Sequence, residues 1–242
     1  MKSTALLPIR FSQRERGQGL VELIVVLPML MFLIMGIIQF ALLYQARSLL
    51  NHATFLAARA GSLNNGQMGG LNPLGTGIRQ GLAAGLTPLF NHGTSIAALT
   101  QARTDALLEV GNPAITTITI VSPTRQMFND FSIRRLDGSN QREIPNDSLQ
   151  YRDSTALGAS SRVSIQDANL LKIEVTYCAK LIVPIANRAI YTIANGIASF
   201  WNPGNDVNGT RNLRCPQIFN ASDFRIPINS VYIIRMETPF RQ

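Results

Sequence analysis

The 242-residue sequence predicts an α+β protein: a long N-terminal transmembrane helix, then an exported domain holding a small, mostly antiparallel sheet. Three observations carry that prediction. Residues 23–46 form a 24-residue run with no charge, between Glu22 and Arg47, and a helix needs about 20 apolar residues to cross a bilayer. Apolar residues then recur at helical spacing as far as Ala60, so the rod continues past the lipid. Beyond it come segments of period two, AITTITIV, LKIEVTY and SVYIIRME, as half-buried strands require.

The elements follow in order. Residues 1–16 carry Lys2, Arg10, Arg14 and Arg16 against Glu15, and a basic flank keeps the N-terminus cytoplasmic. The apolar run is too long for an ordinary secretory signal, and no small-residue cleavage step follows it promptly. Pro28 removes one backbone hydrogen bond from the helix, and Gln39 and Tyr44 add polarity. Ala46, Leu49, Leu50, Ala53, Leu56, Ala57 and Ala60 extend the periodicity, and Gly61 is expected to stop it. The rod from Leu20 to Ala60 is then about 60 Å long.

Glycines crowd residues 61–85. GTGIRQG at 75–81 lacks the ending of a phosphate loop and reads as a flexible loop. Ser95 caps a helix reaching Val110, with Ile96, Leu99, Ala102, Ala106 and Val110 along one side. Residues 114–121 alternate Ile with Thr, and 127–136 are expected to pair with them. Residues 137–162 are polar and loop-like. The apolar stretch 181–201 has Arg188 near its centre. A central arginine disfavours insertion by roughly 2.5 kcal/mol or more, so this stretch is expected to pack on the sheet or to lie at the membrane surface.

The composition excludes several functions. Charged residues are 15% and hydrophobic residues 46%, which is not a disordered chain. The net charge of +8 is not gathered into a stripe, and no nucleic-acid motif accompanies it, so no nucleic-acid partner is expected. His52 and His92 lack clustered ligands, and Asp105, Glu109, Glu174 and Glu237 sit on separate elements. No catalytic signature appears, so neither an enzyme nor a cofactor is expected. Cys178 and Cys215 are either two thiols or one disulfide. A bridge across that loop would stabilise by about 4 kcal/mol on the chain-entropy model.

Glu22 needs its own explanation, because a carboxylate at the hydrocarbon edge is costly without a partner. It stands fifth after a Gly17–Gln18 step, so a cut there would create an amine at the same depth. RERG-QGLVE, LIVVLP and FLAARAG together resemble the prepilin-type signal and helix of TadE-like minor pilins of the tight-adherence pilus. Leu23 departs from the Phe or Tyr usual after the Glu. Residues 170–184 and 228–240 fit the family's later strands more loosely.

The resemblance implies a leader 1–17 removed by a prepilin peptidase between Gly17 and Gln18, an N-terminal helix 18–61 and an exported α+β domain 62–242. Glu22 would serve processing and assembly. The implied partners are other pilin subunits, an inner-membrane assembly platform and the lipid bilayer. The implied location is a bacterial inner membrane, single-pass, with the C-terminal domain periplasmic or extracellular. The rival is an exported enzyme or binding protein that uses the run only as a signal anchor.

Overall fold

The computed structural model describes residues 18–72, 74–135, 141–201, 215 and 223–241. They form an α+β fold. Helix α1 spans Gln18–Leu63 and runs unbroken through Pro28. It also passes Gly61, where a stop was expected. The ending comes from the left-handed residues Asn65 and Gly66, with φ of 56° and 73°. That curl lets the Gly66 N–H reach the Gly61 carbonyl at 2.8 Å, a C-terminal cap of the kind glycine favours. Gly61 itself is buried, and a Cβ there would lie 2.7 Å from Ile78 Cγ1. Its glycine serves packing.

The glycine-rich stretch is only partly a loop. Residues Ile78–Leu86 form α2, which folds back along α1. Gly81 and Gly85 face Ala57 and Ala53. A Cβ on Gly81 would sit 2.5 Å from the Leu56 carbonyl oxygen, and one on Gly85 would sit 2.6 Å from Ala53 Cβ. Small residues on both helices thus let the backbones meet, and the interior has no slack to absorb an added methyl. A 3-10 turn, Thr87–Leu89, leads towards α3, Ile96–Gly111. Ser95 caps α3 by accepting from the Ala98 N–H. Only the part of α3 from Ala102 onward packs: Ala102, Ala106, Leu107 and Val110 are buried, whereas Ile96 and Leu99 are exposed.

The main sheet has the order β1–β4–β5, all antiparallel: β1 Thr116–Ser122, β4 Leu170–Lys180, β5 Arg225–Arg235. The long β4 is central, and its inward side chains Leu171, Ile173, Val175 and Tyr177 are buried. Opposite them in register stand Ile118 and Ile120 of β1 and Tyr232 and Ile234 of β5. Of the segment 127–136, the described residues 127–135 do not pair with β1. Most of their first half belongs to α4, Arg125–Phe131, capped by the Thr124 side chain. Phe128 and Phe131 lie three residues apart there and pack on the core, which helical spacing allows and alternation does not. After α4 comes a small second sheet, order β2–β3–β6: Ile133–Arg134, Arg142–Ile144, Phe240–Arg241. The expected polar loop thus holds a strand and a 3-10 turn, Leu149–Tyr151. A short helix, α5 (Ile165–Ala168), precedes β4, and α6, Ala186–Trp201, follows it.

The second half of α1 is part of this core. Leu50, Ala53, Ala57 and Ala58 are fully buried among α2 and the sheet, and Phe55 meets Tyr232 edge-on at 5.1 Å. The C-terminal segment laces the end of α1 in place. The Thr238 hydroxyl donates to the Ser62 carbonyl at 2.9 Å, and Asn65 Nδ2 donates to the Pro239 carbonyl at 2.7 Å. Chain end and helix end are therefore satisfied together.

Acids that look dispersed along the sequence meet at one end of the sheet. Arg225, 3% exposed, donates to Glu109 Oε1 at 2.9 Å and to Asp223 Oδ2 at 3.0 Å. It also donates to the Cys178 carbonyl at 3.2 Å. The Tyr177 hydroxyl donates to Glu109 Oε2 at 2.6 Å. Lys180 completes the cluster 3.5 Å from Asp223. Burial pulls the Arg225 pKa down, but the hydrogen bonds and charges of Glu109 and Asp223 outweigh it, and the net shift is upward. Burial, then the charge and hydrogen bond of Glu109, push the Tyr177 phenol up. Beside this cluster Cys178 and Cys215 form a disulfide, with Cα atoms 5.7 Å apart.

Three outcomes are expected. Gly85→Ala forces α1 and α2 apart and lowers stability by about 1–3 kcal/mol, read as the denaturation midpoint of the full chain in detergent. Arg225→Met strands Glu109 and Asp223 and costs about 3–5 kcal/mol. The same midpoint should fall in the wild type as pH rises above about 10, because the unfolded tyrosine then ionises while the folded one keeps its proton. Tyr177→Phe should flatten that fall, and an unchanged alkaline slope in this variant would show that the phenol is not its source.

Candidate functional site

The candidate site is the first half of α1. Every large apolar residue from Leu23 to Ile34 is exposed. Such a surface is unfavourable in water and favourable in lipid or against another apolar helix. Among the described residues this is the one helix long and apolar enough to cross a membrane. Exposed apolar patches of this extent mark interaction surfaces, and here the patch encircles the helix.

Glu22 is exposed near the start of this stretch. Among the described residues no cation pairs with it. At about 100° per residue, Glu22, Met29, Leu33, Gly36 and Phe40 fall within about 60° of one another around the helix axis. They form one stripe with an acid at its head. Near its lower end Gly36 leaves a notch: nothing lies within 4 Å of where its Cβ would be. Phe32, Leu33, Ile37 and Phe40 stand around it and make a shallow, almost wholly apolar groove. A groove over a small residue, flanked by aromatic rings, is the shape that receives a side chain from a facing helix.

The apolar run is not bare along its whole length. Gln39 is fully buried, although Ile37, Ile38 and Phe40 beside it are exposed. Its Oε1 accepts from the Val183 backbone N–H at 2.8 Å. Leu43, Ala46 and Leu50 continue the covered face towards the core. The 24-residue run therefore divides at Gln39, with lipid-compatible surface before it and domain-covered surface after it.

Of the remaining residues singled out by the sequence, Gly17 and the whole leader lie outside the described residues, and Gln18 is the first residue of α1. Cys178 and Cys215 are far from Glu22, on the β4 side of the domain. The Glu109–Arg225–Asp223 cluster was not foreseen, and no local sequence pattern signals it. Among the described residues no three His, Cys, Asp or Glu side chains converge as metal ligands.

No curated protein and no solved structure matches the chain. The match that does exist falls on the helix just described. Residues 17–59 match the family model of the TadE-like proteins, so the bare, acid-headed helix and the start of its covered half make up a TadE-like segment.

Proposed function

We propose that this protein is a minor pilin or pseudopilin that supports assembly of a tight-adherence pilus through packing of its N-terminal helix. The observation that carries the reading is a carboxylate, Glu22, with no cation paired to it among the described residues, heading a bare apolar stripe inside the segment that matches TadE-like proteins. The match supports a pilus-associated, pilin-like role.

A prepilin peptidase would cut between Gly17 and Gln18. The freed amine of Gln18, or that of a neighbouring subunit, would then supply the cation that Glu22 lacks. In a low-dielectric setting such a pair specifies register, since an axial slip leaves both charges unpaired. The stripe from Met29 to Phe40 would take the facing helix of another subunit, with Gly36 allowing close approach. The domain that follows would lie on the far side of an inner membrane from the basic leader. The disulfide supports that placement, because such bonds persist in oxidising compartments.

The test is the intact mass and N-terminal sequence of the membrane-extracted protein, from cells with and without an active prepilin peptidase. A mature chain starting at Gln18 only with the peptidase is expected. A chain starting at Met1 in both would overturn the pilin reading in favour of a plain signal anchor. Glu22→Gln, which keeps size and removes charge, should lower recovery in sheared pilus fractions at least about tenfold, the equivalent of about 1.4 kcal/mol. Membrane insertion should persist in that variant.

A further inference from the structure

The turn between β4 and α6 combines three unfavourable features for a surface in water. Ile182 and Ile185 are 67% and 65% exposed, and Ile193 on α6 is 58% exposed. Ile185 has φ of 67°, a left-handed conformation that is strained for a β-branched side chain. Pro184, between them, is exposed as well. Strain and apolar exposure coincide at one place, and that place is fixed relative to α1. The Val183 N–H, in the middle of the turn, is hydrogen-bonded to Gln39.

That bond sets a depth. From Glu22 to Gln39 is seventeen residues, about 26 Å of helix at 1.5 Å per residue. The hydrocarbon core is about 30 Å thick. If Glu22 sits at one edge of the bilayer, Gln39 and the turn bonded to it reach the other edge.

We propose that the Ile182–Ile185 turn and the first turns of α6 form a second membrane contact, seated in the outer headgroup layer of the bilayer that α1 crosses. The apolar side chains enter the acyl boundary, as those of interfacial helices do. Arg188, exposed on α6 with no acid paired to it among the described residues, stands where it meets lipid phosphates. The occupant is lipid rather than a second protein, because this surface is continuous with the exposed first half of α1 and is held at the depth where that half ends. The proposal rests on the membrane-anchoring part of the proposed function and not on the pilus role.

The experiment places a single tryptophan reporter in the full chain, with the native one removed by Trp201→Phe. Reconstitution is into phosphatidylcholine–phosphatidylglycerol vesicles containing lipids brominated high on their acyl chains, to read positions 185 and 193, or, in a parallel set, near the chain ends, to read position 32. Ile185→Trp reports the turn, Ile193→Trp reports α6 independently of the strained residue, and Phe32→Trp reports the anchor. Blue-shifted emission and strong quenching at 185 or 193, together with quenching at 32, is the expected result. Quenching at 32 with solvent-like, unquenched emission at both 185 and 193 would overturn the second contact and leave the anchor standing. Absence of quenching at all three would overturn the anchor, and the contact with it.

Discussion

The distance between two backbones governs this structure. Gly81 and Gly85 meet Ala57 and Ala53 so closely that neither glycine has room for a Cβ. That approach turns the second half of a helix that begins as a bare apolar rod into one wall of a core. The sheet lies against the same wall, with β4 and β5 supplying Leu171, Ile173 and Tyr232. Larger residues at the crossing would hold α2 off, leave Leu50 and Leu82 short of neighbours, and open voids that close-packed interiors do not tolerate.

One helix thereby serves two solvents. From Glu22 to Phe40 the large apolar side chains face outward except at the half-buried Met35, Gln39 alone is fully buried, and from Leu43 a single face turns into the domain. The change is abrupt because a polar side chain marks it. A glutamine in an apolar run is unfavourable in hydrocarbon; here its carbonyl oxygen is satisfied by the Val183 N–H, and the domain sits close enough to seal it. At the same end of the sheet the Arg225 cluster holds β4, β5 and α3 together, and the disulfide ties β4 to Cys215. The segment around Ser62, Asn65 and Thr238 closes the far end of α1. The domain is fastened at its margins by polar groups and filled between them by small and branched apolar ones.

How much of this the sequence disclosed depended on range. Elements defined by their own period were legible: α1 from its apolar run, α3 from Ser95 and its spacing, β1, β4 and β5 from alternation. The place of Glu22 at the head of the apolar run was legible too, because both lie on one helix. Residues 127–131 were misread because five residues are too few to display a period clearly, and the Thr124 cap that settles it lies just outside them. The glycines at 81 and 85 were misread as flexibility, since their role appears only against Ala53 and Ala57. Glu109 and Arg225 are 116 residues apart, and Gln39 and Val183 are 144 apart. No local pattern encodes such pairings, and they exist only once the chain has closed on itself.

The unbroken helix has a mechanical consequence. No linker stands between the rod that would be held in a membrane or an assembly and the domain built upon it, so no hinge exists to absorb a load. A pull along α1 acts on its whole covered face at once, as shear against α2 and the sheet. Shear requires many contacts to yield together, whereas a pull at one edge would peel them in turn. The bonds from Thr238 and Asn65 to the helix end and its cap work as a brake on that sliding. A tilt of the rod is likewise transmitted undiminished to the domain, which swings with it as the head of a lever.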